Sequence, residues 1–121
     1  MPRLSDSEWQ ALTALWDSGG ASLGEVVEAL RPATGWSRNT VLTYLTRMEK
    51  KGLVTIDKEN YPHTYRAALD RETCQAQERQ SFLARVYRGS AGDLVAAFLK
   101  ESPLSAEERD RLKALLDDME V

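Results

Sequence analysis

Residues 36–54 read WSRNTVLTYLTRMEKKGLV and predict one helix with two different faces. Ser37 suits the N-cap position, because its hydroxyl can accept a hydrogen bond from a free amide of the first turn. Gly52 suits the position after the helix, because glycine enters the left-handed region without a Cβ clash. The apolar side chains between these two residues recur at spacings of four and three, and they share one buried face: Val41, Leu45 and Met48.

The other face of this helix carries hydroxyls, a phenol and cations, and it has no carboxylate. Its members are Thr40, Thr43, Tyr44, Arg47 and Lys51. Hydroxyls and cations are the groups with which a helix meets base edges and phosphates in the major groove of DNA. The pattern therefore predicts a recognition helix, although a solvated helix face without a ligand would look similar.

Within this helix, Thr40, Thr43 and Arg47 are the strongest candidates for DNA contact. Threonine can bond a base edge or touch a thymine methyl, and Arg47 can reach a phosphate or a guanine. Asn39 and Tyr44 flank them. Arg38 lies in the first turn, where the helix dipole disfavours a cation, and a phosphate facing it would explain its presence.

The overall charge is acidic, whereas nucleic-acid-binding domains are often basic. The formal net charge of the 121 residues is −3. Residues 37–52, however, hold four cations against one carboxylate, a net charge of +3, while residues 101–121 hold seven carboxylates against three cations, a net charge of −4. A local patch determines phosphate contact more than the total does, so the composition does not exclude DNA as a partner.

Composition also bears on compartment and chemistry. No apolar run is long enough to span a bilayer, and no signal-peptide pattern follows the N-terminus, so we expect a cytoplasmic protein without a membrane partner.

The single Cys74 allows neither an internal disulfide nor a cysteine metal cluster, and we expect an inert or weakly exposed thiol on a polar helix. His63 is the only histidine, and we expect it on the surface. With no nucleophile–base pair and no phosphate-binding glycine loop, we expect no enzymatic activity, no cofactor and no metal.

The N-terminal half predicts three helices followed by a hairpin. Capping boxes at residues 5–8 (SDSE) and 22–25 (SLGE) begin the first two helices, and the second is expected to stop at Pro32 and Gly35. The three tryptophans are expected to pack in the core: Trp9, Trp16 and Trp36. After Gly52 the apolar period changes to two, which predicts strands around residues 53–56 and 63–67 joined by a turn-rich tip. This order is typical of a winged helix-turn-helix.

The predicted wing adds residues that can hold the DNA backbone. Lys58, Tyr65 and Arg66 lie on or beside its strands, and contacts of this kind position a protein without reading sequence. For Tyr65, packing beneath the wing is the favoured alternative. Ser22 can offer its hydroxyl and the free amides of the second helix to a phosphate, in addition to its capping role.

Three further helices follow Asp70: a polar helix over about 71–88, one begun at Ser90 and one begun at Ser105. Their apolar side chains are Phe82, Leu83, Val86, Tyr87, Leu94, Val95, Phe98, Leu99, Leu112, Leu115, Leu116 and Met119. About 50 residues form a marginal core alone, so these side chains are best buried against a second copy. We predict a mainly α protein with a small β-hairpin, comprising a winged helix-turn-helix domain at 1–69 and a helical dimerisation domain at 70–121.

The order of these motifs resembles the penicillinase/methicillinase repressor family of BlaI/MecI type, with the copper-responsive CopY repressors as relatives. The resemblance covers nearly the whole chain. Its markers are residues 4–9 (LSDSEW) with Leu15-Trp16, Trp36-Ser37, Thr40-Val41, Leu45, Arg47, Lys50-Lys51-Gly52, Tyr65, Ser81-Phe82-Leu83 and Tyr87-Arg88-Gly89-Ser90.

The resemblance implies a homodimeric repressor that binds a pseudo-palindromic double-stranded DNA operator of antibiotic-resistance genes. It also implies relief of repression by proteolytic cleavage, through a sensor-linked protease, once a membrane sensor detects a β-lactam. In the family the cut falls at an Asn-Phe bond after the Gly-Ser turn, and the matching pair here is Ala97-Phe98, so the Asn is replaced. The chain ends DDMEV over residues 117–121, without the cysteine-rich motif of the copper-responsive relatives, which argues against copper sensing through that motif.

Two other functions compete with this interpretation. A winged-helix protein-interaction module would dock a protein partner through the third helix; the acidic total charge favours it and the carboxylate-free face opposes it. A repressor relieved by a small-molecule ligand would hold that ligand between the dimer helices, but no convergent polar groups in the sequence mark such a pocket.

Overall fold

The computed structural model of the protein describes residues 3–119. The chain forms α1 (Asp6–Ser18), α2 (Leu23–Thr34), α3 (Arg38–Lys50), β1 (Val54–Asp57), β2 (Thr64–Ala67), α4 (Arg71–Tyr87), α5 (Ala91–Glu101) and α6 (Ala106–Asp118). The predicted mainly α fold with one small hairpin is confirmed. The outer ends of both predicted domains, at residues 1 and 121, and the Glu120 carboxylate counted in the acidic tail lie outside the described residues.

Serine side chains begin five of these helices. At α1, α2 and α6 the serine hydroxyl accepts from the amide three residues on, and the glutamate there accepts from the serine amide: Ser5 with Glu8, Ser22 with Glu25, and Ser105 with Glu108. Ser37 and Ser90 cap α3 and α5 through the hydroxyl alone. These reciprocal bonds satisfy amides that a helix leaves free, so the predicted helix starts are confirmed.

The end of α3 turns the chain directly into the hairpin. Gly52 adopts a φ of +80°, and its amide donates to the carbonyl of Glu49 at 3.0 Å. The Leu53 amide donates to the carbonyl of Met48 at 2.9 Å, and the side chains of both residues are buried. This pair of bonds with its apolar contact is a Schellman motif, which needs a left-handed residue after the helix.

One helix end differs from the prediction. Pro32 lies inside the last turn of α2, which continues to Thr34. Proline removes one amide donor from the turn, but the turn still closes through the Gly35 amide, which donates to the Arg31 carbonyl at 3.0 Å. Gly35, at a φ of +64°, therefore ends α2, and the prediction that Pro32 ends it was wrong.

The core lies among α1, α2, α3 and the hairpin. Its most completely buried side chains are Leu12, Leu15, Val26, Val41, Leu45, Met48, Val54 and Cys74. The predicted inner face of α3 is thus confirmed. Trp9, Trp16 and Trp36 are half-buried and pack against this cluster, as expected.

Cys74 was expected to be an inert or weakly exposed thiol, and the structure agrees with the inert alternative. Its side chain is 1% exposed, and burial raises the pKa of the thiol. The reason is that the start of α4 packs onto α1. The Trp16 indole donates to the Leu69 carbonyl at 2.9 Å, and the Arg71 guanidinium covers the Trp16 ring and pairs with Asp17 at 2.6 Å.

The first compact unit ends within α4, between Glu78 and Arg79, and the domains predicted at 1–69 and 70–121 stay a prediction. In the second unit, residues 79–119 contain no buried side chain. Ten large apolar side chains there are exposed: Phe82, Val86, Val95, Phe98, Leu99, Leu104, Leu112, Leu115, Leu116 and Met119. Over residues 3–119, no helix has the length and apolar character to cross a membrane.

Glu8 joins the start of α1 to the end of α3. Its carboxylate accepts from the Ser5 amide at 2.9 Å and pairs with the Lys51 ammonium at 2.8 Å. Burial raises the pKa of Glu8, but the hydrogen bonds from Lys51 and Ser5 and the charge of Lys51 outweigh it, so the pKa lies below its ordinary value of 4.5.

We expect Glu8→Gln to reduce the free energy of unfolding by about 1 kcal/mol at pH 7, because glutamine keeps the cap but loses the ion pair with the partly exposed Lys51. Because the pKa of Glu8 is lower in the folded protein, its carboxylate stabilises the folded state fully above the unfolded pKa of 4.5. This stabilisation is lost as pH falls through the folded pKa. Urea unfolding of both proteins should therefore differ most at pH 7, and the difference should shrink as pH falls below 4.5 through the lowered folded pKa of Glu8.

Glu25→Gln is the matched control, since Glu25 holds the same capping position in α2 but is exposed and has no lysine partner among residues 3–119. Equal losses in the two variants at pH 7 would contradict a stabilising role for the Glu8–Lys51 pair.

Candidate nucleic-acid interface

Five of the predicted contact residues surround one shallow depression on the exposed side of α3. They are Asn39, Thr40, Thr43, Tyr44 and Arg47. The helix presents them together because its opposite side, with Val41, Leu45 and Met48, is fully buried. The structure therefore brings the predicted reading face together as one continuous surface.

The two threonine hydroxyls on this surface are held differently. Thr43 donates its hydroxyl hydrogen to the Asn39 carbonyl at 2.9 Å, which leaves its oxygen as an acceptor. The Ser37 hydroxyl donates to the Thr40 hydroxyl oxygen at 3.0 Å, which leaves the Thr40 hydrogen available to donate. One threonine thus offers an acceptor and the other a donor to a ligand.

Tyr44 and Arg47 form the rest of this surface. The Tyr44 ring stacks on Trp36 with centroids 4.8 Å apart, and Trp36 packs against the core, so the plane of the phenol is restricted. Arg47 is exposed, and no carboxylate among residues 3–119 pairs with it. Its guanidinium is therefore free for a phosphate or a guanine edge.

The two predicted lysines have carboxylate partners. Lys51 pairs with Glu8 of α1 at 2.8 Å, and Lys58 of the wing pairs with Glu49 of α3 at 3.6 Å. The exposed face of α3 still has no carboxylate of its own, because Glu8, the partner of Lys51, belongs to α1. An ion pair that must be exchanged for a phosphate contributes less to binding than a free cation.

The wing is an antiparallel hairpin that is tied to the start of α2. Its strands pair from Val54 with Ala67 to Asp57 with Thr64. Tyr65 also exchanges two backbone hydrogen bonds with Ala21, at 2.8 and 3.0 Å. The side chain of Arg66 is exposed and lies against Gly20.

Tyr65 itself is 5% exposed, so the packing interpretation of this residue is confirmed. Burial raises the pKa of its phenol; the positive charge of Arg38 acts to lower it and the negative charge of Glu49 to raise it. Arg38 thus lies near the phenol, although its own guanidinium is exposed and pairs with no carboxylate among residues 3–119.

A second groove lies between the start of α2 and the wing. It is lined by Ser22, Leu23, Gly24, Arg38, Tyr61, Pro62, His63 and Tyr65. The sequence had marked Ser22, Arg38 and Tyr65 as DNA contacts but not Gly24, Tyr61 or His63. Glycine at the second position of a helix was the one available signal, because nothing in the helix pattern calls for it there. Ser22 also has its predicted cap role, accepting from the Glu25 amide at 3.3 Å.

No three histidine, cysteine or acidic side chains in residues 3–119 are grouped so as to hold a metal ion.

Comparison with known proteins gives a consistent result. The family model described as "Penicillinase repressor" matches residues 4–118. The penicillinase repressor of Bacillus licheniformis is 30% identical over 118 residues, covering 98% of this chain and 92% of that protein. The methicillin resistance regulatory protein MecI of Staphylococcus aureus is 27% identical over 114 residues, covering 94% and 93%.

Among solved structures, monomeric BlaI of Bacillus licheniformis in complex with the blaP half-operator superposes with a TM-score of 0.52 and 30% identity, over 59% of this chain and 87% of that one. The DNA-binding domain of BlaI gives the same score and identity over 58% and 85%.

Proposed function

The chain belongs to the penicillinase repressor family, whose members are DNA-binding transcriptional repressors and not enzymes, and from this we propose that it represses transcription as a homodimer on a pseudo-palindromic operator. The observation that carries the proposal is the exposed face of α3. This face combines a free donor on Thr40, a free acceptor on Thr43 and the unpaired Arg47, and it contains no carboxylate. A relative solved in complex with a half-operator supports DNA as the ligand.

In this proposal α3 enters the major groove and reads base edges. Thr40 donates to a base acceptor such as guanine O6 or N7, and Thr43 accepts from an exocyclic amine. Arg47 bonds a guanine edge or a neighbouring phosphate, while Asn39 and Tyr44 border the contact.

Contacts to the sugar–phosphate backbone hold this helix in place. Arg38 and Arg66 offer donors without releasing a carboxylate, and the Ser22 hydroxyl lies beside them at the start of α2, where the Ser22 amide is bonded to Glu25. Lys51 and Lys58 would first have to leave Glu8 and Glu49, so we assign them the smaller share of the phosphate contacts.

Arg47→Ala should weaken binding to DNA from upstream of the protein's own gene about tenfold, the effect of removing one specific arginine contact. Its free energy of unfolding should not change, because Arg47 is exposed and unpaired. The measurement is binding to labelled DNA at several salt concentrations, together with urea unfolding. Lys100→Ala, which removes an exposed cation from α5, is the control and should bind as the wild type does.

The proposal fails if the wild type binds this DNA no tighter than scrambled DNA and Arg47→Ala changes nothing. That result would favour a protein-interaction module, in which α3 docks a protein partner.

The second half of α4, with α5 and α6, supports the homodimer. The ten exposed apolar side chains of this unit have no buried core beneath them in one chain, and residues of this kind are normally covered by a partner surface. A closed two-fold dimer covers the same surface on both copies and relates two recognition helices, so the operator half-sites should lie one helical turn or more apart.

Leu115→Glu should convert the dimer to a monomer at micromolar concentration. The leucine is 63% exposed in the single chain, so a glutamate there leaves the fold of one chain intact and destabilises only an apolar interface with a second chain. Sedimentation equilibrium measures the dissociation constant, which should rise at least a hundredfold. The control is Lys113→Glu, which adds a carboxylate at another exposed position of α6. A wild type that is monomeric at these concentrations, or a Leu115→Glu protein that remains dimeric, would contradict the proposed interface.

We place the proposed derepression at the Ala97–Phe98 bond in α5. Ala97 is half-buried and Phe98 is 58% exposed. A helical bond must open before a protease can cut it, and within a single chain α5 can open without exposing a core, because none of its residues is buried there. Cleavage there by a sensor-linked protease would separate α6 from the rest of the chain and remove part of the dimer surface.

When the host is challenged with a β-lactam, mass spectrometry of the recovered protein should find a fragment that ends at Ala97. Phe98→Ala should slow this cleavage, because it removes the one residue of the family bond that this chain keeps. Phe82→Ala, which removes the other exposed phenylalanine, should be cut at the wild-type rate. Intact protein throughout the challenge would show that this member is not derepressed by cleavage.

A further inference from the structure

Among residues 3–78, Leu42 is the only large apolar side chain outside the tip of the wing that is exposed. It is 39% exposed and lies on α3, whereas every other leucine of α1, α2 and α3 is buried or half-buried. A single exposed leucine is ordinary on a protein surface, and what distinguishes this one is its position on α3.

Leu42 lies beside the outermost residue of α3. Each residue turns an α-helix by about 100°, so Thr43 lies almost opposite the buried face of this helix. Leu42 lies on one side of Thr43 and Thr40 lies on the other, at similar angles from the outward direction. Leu42 therefore belongs to the same outward half of α3 as the proposed base contacts.

The neighbours of Leu42 along α3 are groups that the proposed function already brings to DNA. Arg38 lies one turn before Leu42 and is proposed to contact a phosphate. Thr43 follows Leu42 and is proposed to read a base, and Thr46, one turn after Leu42, is exposed as well. A side chain that lies between a phosphate contact and a base contact must face the groove when both contacts form.

The chemistry of Leu42 limits what it can recognise in that groove. Its side chain is hydrocarbon alone, and the apolar group on the base edges of the major groove is the C5-methyl of thymine. Cytosine carries a hydrogen at the same position, so a contact to this methyl distinguishes the two pyrimidines. The one carboxylate of α3, Glu49, lies two turns further on and is paired with Lys58 at 3.6 Å, so its charge is partly neutralised.

A thymine methyl fits this surface better than a protein partner does. The residues that surround Leu42 on the outer side of α3 are exposed and polar: Arg38, Asn39, Thr43 and Thr46. A protein interface normally has several apolar side chains at its centre, whereas Leu42 is isolated. One methyl group within a polar groove matches one leucine within a polar face.

We propose that Leu42 is a specificity-determining residue whose side chain contacts the C5-methyl of a thymine in each half-site of the operator. The inference rests on the proposed function, because it needs α3 to lie in the major groove. It goes beyond that function, since Thr40, Thr43 and Arg47 read polar groups and Leu42 reads an apolar one. Removing the thymine methyl and the leucine from water favours a T·A pair over a pair without the methyl.

Replacing thymine by uracil removes the C5-methyl alone and tests the contact from the DNA side. The probe is a synthetic duplex of the segment that the wild type protects upstream of its own gene, with uracil in place of each thymine in turn. Wild-type affinity should fall about fourfold for each half-site changed at one thymine position, the effect of one buried methyl group. Uracil outside the protected segment is the control and should leave the affinity unchanged.

Two variants test the contact from the protein side. Leu42→Ala should bind the unmodified duplex more weakly than the wild type and should no longer distinguish thymine from uracil at that position. Leu42→Met keeps an apolar side chain of similar volume and should retain the discrimination. Alanine and methionine are both good helix formers, and urea unfolding checks that both variants fold.

If Leu42→Ala does not fold, NMR of the wild type on the same duplex carries the test. With the leucine methyl groups labelled, nuclear Overhauser effects should join the Leu42 methyls to the C5-methyl of the thymine that the uracil series identifies. Their absence would reject the contact.

Three results of the binding series would overturn the proposal. Specific binding by the wild type that no uracil weakens would reject the methyl contact and leave the repressor function intact. An equal loss with uracil in the wild type and in Leu42→Ala would assign the methyl to another side chain. A wild type that binds no duplex more tightly than scrambled DNA would reject the proposed function and this inference with it.

Discussion

The burial of three side chains on one side of α3 governs the rest of this protein. Val41, Leu45 and Met48 are each no more than 1% exposed, and they fix the rotation of the helix about its own axis. Because that rotation is fixed, Thr40, Thr43 and Arg47 must face outward together. The Schellman motif at Gly52 then directs the chain into the hairpin, so the position of the wing depends on the same helix.

Charge determines which parts of this surface are available. The overall charge is negative, but Arg38 and Arg47 remain without carboxylate partners among residues 3–119, whereas Lys51 and Lys58 are paired. Glu8 has two structural roles, since it caps α1 and neutralises the cation at the end of α3. The electrostatic surface offered to DNA is therefore narrower than a count of cations over residues 37–52 indicates.

The two compact units differ in whether their apolar side chains are buried within one chain. The N-terminal unit, which extends through Glu78, buries its apolar residues within one chain, including Cys74 from α4. The C-terminal unit leaves its large apolar residues exposed, so its stability depends on a further surface. This contrast connects the proposed dimer with the proposed cleavage in α5, because a unit whose apolar residues are buried only by a partner opens most readily when the partner is absent.

Local pattern in the sequence determined the helix starts, the buried face of α3, the hairpin and the winged helix-turn-helix order, because caps and periodicity act between residues a few positions apart. The same pattern marked the proposed DNA-reading face of α3, which lies on one element. Contacts between distant segments were decided only by the tertiary structure: the burial of Cys74 in the core, the pairing of Lys51 with Glu8, and the end of the first compact unit within α4. The groove that joins Gly24, Arg38 and Tyr65 belongs with these, since three elements must pack before it forms.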